Sequence, residues 1–164
     1  MAFPYFFLLF LLSCTLLHHG CARPSRSRKA AAVCLRGIKA HKKCYLVVEE
    51  PKHYHQANED CIAQGGTLAT PRNLRENNDL RDYAKLSSSG TKDFWIGVTD
   101  IVKEGQYVDV NSMPITYFNW DRAKKEPTGG KRESCAVLLL SAQGKWHDEV
   151  CRTEKRYICE YLIP

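Results

Sequence analysis

Apolar positions follow three different rhythms along this chain. Residues 3–12 form a dense apolar run with no charged side chain. Residues 52–64 carry a helical period: Tyr54, Ala57, Cys61 and Ile62 share one face, Pro51 suits the start, and Gly65-Gly66 stop it. Residues 73–86 predict a second helix, with Asn73 as cap, Glu76 at the capping-box position, and Leu80, Tyr83 and Ala84 facing inward. Phe94, Trp95, Ile96, Gly97 and Val98 make a short continuous apolar run, the pattern of a buried strand. Further strands are expected at residues 107–110, 135–140, 145–147 and 156–161, and Cys34 and Cys44 bracket a short stretch suited to a hairpin that a disulfide could staple. Two helices followed by several strands give an α+β fold with mixed or antiparallel sheets. Residues 99–134 are long and irregular, rich in Gly, Pro, Asp and Asn, yet Tyr117 and Trp120 inside them argue for order.

The apolar start ends in small residues, Gly20-Cys21-Ala22, and reads as a secretory signal peptide over residues 1–22. A membrane anchor is the rival reading. The run is shorter than the roughly 20 residues that span a bilayer, and its basic flank would lie outside the cell. No membrane span is therefore expected. Residues 23–33 are a short basic arm, expected to be disordered, with Arg23, Arg26, Arg28 and Lys29 as a candidate polyanion site. The remaining domain is residues 34–164.

Of 164 residues, 8 are Cys, and the net charge is +6. Four basic residues of the total sit in the arm, so the domain itself is close to charge balance. A nucleic-acid binder is not expected from so small an excess. With Cys14 and Cys21 in the leader, Cys34, Cys44, Cys61, Cys135, Cys151 and Cys159 remain, an even number suited to three disulfides in an oxidising compartment. Six cysteines allow 15 pairings, and spacing does not choose among them. No tight Cys/His pairs suggest zinc. No serine or cysteine nucleophile stands in a recognisable setting, and His53, His55 and Glu59 read as a solvated helix face, so no enzyme is expected. No N-x-Ser/Thr acceptor occurs.

The acidic residues cluster by position. Asp100 and Glu104 follow the Trp95 strand, Glu126 and Glu133 precede Cys135, and Asp148 and Glu149 follow Trp146. Calcium takes six to eight oxygens, often from irregular backbone, so this is a candidate calcium loop.

These residues resemble the C-type lectin-like domain family. Trp95-Ile96-Gly97-Val98 looks like its WIGL strand. Glu126-Pro127-Thr128, Glu133, Cys135, Trp146-His147-Asp148, Cys151 and Cys159 look like its EPN, E-x-C, WND and paired-cysteine signature. The similarity covers residues 34–164 and is strongest to the branch of tetranectin and the cartilage-derived C-type lectin. It implies the pairings Cys34–Cys44, Cys61–Cys159 and Cys135–Cys151, and a cis bond before Pro127.

The resemblance also implies three overlapping sites. A deeper calcium site would use Asp100, Glu104, the Gly130 carbonyl, Glu133 and Ser134. A calcium and carbohydrate site at the loop's edge would use Glu126, Thr128, Glu133, His147 and Asp148. There Thr128 stands for Asn or Asp, and His147 for Asn, so that site is expected to be weakened. A kringle-binding site would use Lys131, Glu133 and Asp148. The branch carries an N-terminal trimerising helix, for which the 11-residue arm is too short, so a monomer is expected. The expected function is a secreted matrix protein binding carbohydrate or sulfated glycosaminoglycan with Ca2+. The alternative is a protein-interaction module for a plasminogen kringle.

Overall fold

The computed structural model describes residues 25–26, 34–40, 42–88, 90 and 92–163. The leader at residues 1–22, and Arg23, Arg28 and Lys29 of the arm, lie outside the described residues. Strands β1 (Ile38–Ala40) and β2 (Lys43–Lys52) pair antiparallel, and the Cys34–Cys44 disulfide staples their hairpin.

β2 runs on through Pro51 because it pairs with the last strand, β8 (Lys155–Leu162), as far as Lys52 opposite Lys155. Pro51 is tolerated there because the register slips between Val48 and Lys52, where no ladder donor is needed. The first helix, α1 (Tyr54–Ala63), therefore starts two residues later than the sequence pattern predicts. Tyr54, Ala57 and Cys61 are buried as expected, whereas Ile62 is 54% exposed. One residue past Cys61 the helix has turned roughly 100°, away from the core.

The second helix, α2 (Leu74–Ser87), is capped by Asn73, whose side chain accepts the Glu76 N–H at 2.9 Å. The reciprocal half of a capping box is absent. The Glu76 carboxylate instead accepts the Arg72 N–H at 3.0 Å and Lys43 Nζ at 2.9 Å. Leu80 and Ala84 are buried and Tyr83 is half-buried. Asn77 is also buried, although its amide marks it as a surface residue in the sequence.

With β4 (Asp93–Thr99), β6 (Cys135–Leu139) and β7 (Lys145–Glu149), the described strands form one mixed sheet in the order β1-β2-β8-β4-β6-β7, with β3 (Thr67–Leu68) on β8 and β5 (Val108–Asp109) on β4. β4 (Asp93–Thr99) is central. It runs parallel to β8 at Trp95–Tyr157 and antiparallel to β6 (Cys135–Leu139). Phe94, Trp95, Ile96 and Val98 are fully buried, which explains an unbroken apolar run rather than alternation. The three disulfides are those the resemblance implied. Cys61–Cys159 ties α1 to β8, and Cys135–Cys151 ties the start of β6 to the turn after β7 (Lys145–Glu149).

This topology decides where the polar residues meet. β4 ends where β6 begins, with Thr99 opposite Cys135, while β7 places Asp148 opposite Ala136. Asp100, Ser134 and Asp148 thereby reach one end of the sheet from distant parts of the chain. The intervening loop is ordered by aromatic packing. Trp120 lies 4.8 Å from Tyr107 and 5.7 Å from Trp146, centroid to centroid, and Tyr117 packs edge-on against Trp146.

Candidate calcium and ligand site on the long loop

Two neighbouring clusters occupy the loop end of the sheet. The deeper one surrounds a hollow of about 650 Å³ lined by Asp100, Ile101, Val102, Lys103, Glu104, Lys131 and Ser134. Asp100 is buried directly after β4. Its Oδ2 accepts the Gly105 N–H at 2.8 Å, closing the 100–105 turn, and its backbone N–H donates to the Ser134 carbonyl at 3.2 Å. Its Oδ1 is buried and has no hydrogen-bond partner. A buried carboxylate oxygen left unpaired is costly, which points to a cation as the missing partner.

Gly130 opens a 3-10 turn (Gly130–Arg132) at φ 54°, and the Glu104 carboxylate lies close to it, 3.9 Å from where a Cβ would stand. Asp100, Glu104, Gly130 and Ser134 are thus brought together, and they offer carboxylate, carbonyl and hydroxyl oxygens, the donors calcium prefers. Glu133 is turned away toward the edge, its Oε2 3.4 Å from Thr128 Oγ1.

The edge cluster is built by β7 and the irregular segment at residues 126–128. The Glu126–Pro127 bond is cis, as the resemblance implied. Glu126 and Asp148 are buried. Asp148 Oδ1 accepts the Thr128 N–H at 2.7 Å, and its Oδ2 accepts the Tyr107 hydroxyl at 3.4 Å. Burial, followed by hydrogen bonding to Glu126 and that group's charge, pushes the Asp148 carboxyl up to about 6. Tyr107 stands between the clusters. Its phenol is raised by burial first, then by Asp100, Asp148 and Glu104. His147 Nε2 lies 3.2 Å from Asp121 Oδ2 and its Nδ1 3.5 Å from Glu126 Oε1. The His147 hydrogen bond holds the Asp121 carboxyl below the usual range.

His147 and Asp148 both belong to β7, which runs two residues past the expected strand at 145–147. Within the kringle-type trio, Glu133 and Asp148 both meet Thr128, while Lys131 is exposed on the other side and lines the deeper hollow. Among the described residues, no three His, Cys, Asp or Glu side chains converge closely enough to cage an ion alone. A metal here must draw on backbone and hydroxyl oxygens. Asp121 and Tyr107 are site residues that the sequence pattern did not single out. Asp121 is 26 residues from His147, and no local spacing connects them.

Of the arm, Arg26 is described. Its Nε donates to the Gly65 carbonyl at 3.1 Å, beside the cleft formed by Lys43, Arg72, Glu76 and Glu160. Among the described residues no helix is long and apolar enough to cross a membrane.

The fold, the three disulfides and the loop geometry define a C-type lectin domain, and the profile of the Lectin C-type domain matches residues 50–161. The chain belongs to that family. It is 65% identical over 132 residues to "Tetranectin-like protein" of Carcharhinus perezii, covering 80% of this chain and 78% of that one. It is 60% identical over 132 residues to "C-type lectin domain family 3 member A" of Mus musculus, covering 80% of this chain and 66% of that protein. Among solved structures, the mouse scavenger receptor C-type lectin carbohydrate-recognition domain superposes with a TM-score of 0.69 at 24% identity, over 79% of this chain and 97% of that one.

Proposed function

We propose that this chain is a secreted, monomeric glycan-binding module of the extracellular matrix. It binds rather than catalyses. A calcium ion sits in the deeper hollow, held by Asp100, Glu104, the Gly130 carbonyl and Ser134. The ion would supply charge neutralisation and order the 100–105 and 130–134 segments.

The buried, unpartnered Asp100 Oδ1 carries this reading. Sulfated glycosaminoglycan is the favoured ligand class. Exposed Lys103 and Lys131 line the hollow, and the arm adds Arg23, Arg26, Arg28 and Lys29, of which Arg26 donates to the Gly65 carbonyl. Such binding weakens with salt, because counterions are released on contact. Calorimetry with calcium tests the first half: wild type should bind, and Asp100→Asn should not. Heparin chromatography tests the second. Arg26, Arg28 and Lys29 changed to Ala should elute at lower salt, and unchanged elution would refute the role of the arm.

A second reading rests on Lys131 itself, an exposed cation beside carboxylates. It presents the chemistry a kringle lysine-binding site recognises. Lys131→Ala should abolish capture by an immobilised kringle, and capture as strong as wild type would refute this second reading.

A further inference from the structure

The edge cluster holds carboxylates of the kind a second calcium ion would use, yet those of Asp148 and Glu126 already face partners within the chain. Asp148 Oδ1 is taken by the Thr128 N–H and Oδ2 by the Tyr107 hydroxyl. The Thr128 hydroxyl lies 3.5 Å from both Glu126 oxygens and 3.4 Å from Glu133 Oε2. The His147 ring stands between Asp121 and Glu126, one nitrogen toward each. Its nitrogens are poor ligands for calcium, and the ring lies against Glu126, Nδ1 at 3.5 Å from Oε1.

We infer that the edge is closed to calcium by an Asp121–His147–Glu126 clamp, so that the domain takes one calcium ion, in the deeper hollow, and none at its edge. The clamp has a structural logic. Asp121 begins the 3-10 turn at Arg122–Lys124 and receives the Lys124 N–H at its carbonyl, while its own N–H donates to the Trp146 carbonyl. The His147 side chain adds a second tie from β7 to the same turn. The loop edge is thereby anchored by protein groups alone. A neutral sugar chelated through an edge calcium is not a ligand of this domain, which directs recognition to the cationic rim. The one-ion count rests on the calcium reading of the deeper hollow, whereas closure of the edge does not.

Two titrations separate these claims. Asp100→Asn with Glu104→Gln disables the hollow and leaves the edge intact. In that background no calcium binding is expected up to about 10 mM, well above the dissociation constants of weak extracellular sites. Detectable binding there overturns closure. Adding His147→Asn and Thr128→Asn to the same background should open the edge, with half-saturation on the order of 1 mM. If no binding appears while the circular dichroism spectrum is native, the clamp is not what closes the site. Wild type needs no folding control. Its His147 ring resonances should stay in place as calcium is added, and displacement of those signals overturns the inference. Absence of any calcium binding by wild type would remove the hollow's ion but leave closure standing.

Discussion

Trp146 donates its indole N–H to the buried Asn77 carboxamide oxygen at 2.7 Å, and this bond joins α2 to the strand that carries His147 and Asp148. Asn77 in turn donates to the Gly144 carbonyl at 3.0 Å, at the turn between β6 and β7. Gly144 sits at φ 82°, so glycine suits the turn, and its carbonyl also accepts from Asn119 at 2.8 Å. The loop side of the site is therefore hung from the helix by one amide side chain.

Replacing Asn77 with Ala should cost about 2–3 kcal/mol. The Gly144 carbonyl keeps Asn119, but the Trp146 N–H is left buried without a partner. Urea unfolding gives the value, and a loss well under 1 kcal/mol would show that water replaces the amide.

Asp148 should make stability depend on pH. Its carboxyl is raised to about 6, above the ordinary unfolded value of about 3.9. The folded state therefore holds the proton more tightly. The resulting stabilisation is complete below about pH 4 and is lost as pH rises through about 6. In a chelator, Asp148→Asn should melt higher than wild type near pH 7.5, with the gap closing by about pH 4. A gap that stays constant with pH would rule out the Asp148 proton as its source.

The three disulfides should differ in worth according to the loops they close. Cys61–Cys159 spans a separation of 98 residues, Cys135–Cys151 spans 16, and Cys34–Cys44 spans 10. Chain entropy predicts a cost of about 4–5 kcal/mol for removing the first by paired Ala substitution and about 3 for the second, with the third smallest. Chemical denaturation of the three double variants gives the order. A reversed order would mean that local packing outweighs loop closure.

Lys43 sits between Glu76 at 2.9 Å and Glu160 at 3.2 Å, all three side chains mostly buried. Burial raises the Glu160 carboxyl, against the opposing pull of Lys43. Lys43→Met should cost about 3 kcal/mol, because two carboxylates then face each other with no cation between them. Adding Glu160→Gln to that variant should restore part of the loss. No restoration would place the cost in packing instead of charge.

Local patterns carried much of the fold. The Asn73 cap, the Leu80 and Ala84 face and the buried Trp95 run are all set by neighbours within one or two turns of chain, so they could be read directly. The start of α1 could not. Pro51 suits a helix start, but the pairing of Lys52 with Lys155 keeps it in a strand, and that partner is about a hundred residues away in the chain. The candidate ligands split in the same way. Asp100, Glu104, Glu126, Glu133 and Asp148 were marked by their places beside recognisable strands and cysteines.

Short-range periodicity and fixed motifs encode the family, the cysteine set, the two helices and the identity of the loop carboxylates, so these could be read from the residues alone. Which oxygens remain available depends on the packing of the folded chain. Asp100 Oδ1 is left bare in a hollow, whereas Asp148 is consumed by Thr128 and Tyr107, and His147 by Asp121 and Glu126. The reason is physical: a hydrogen bond depends on distance in space, and sheet pairing brings together groups that the chain keeps far apart.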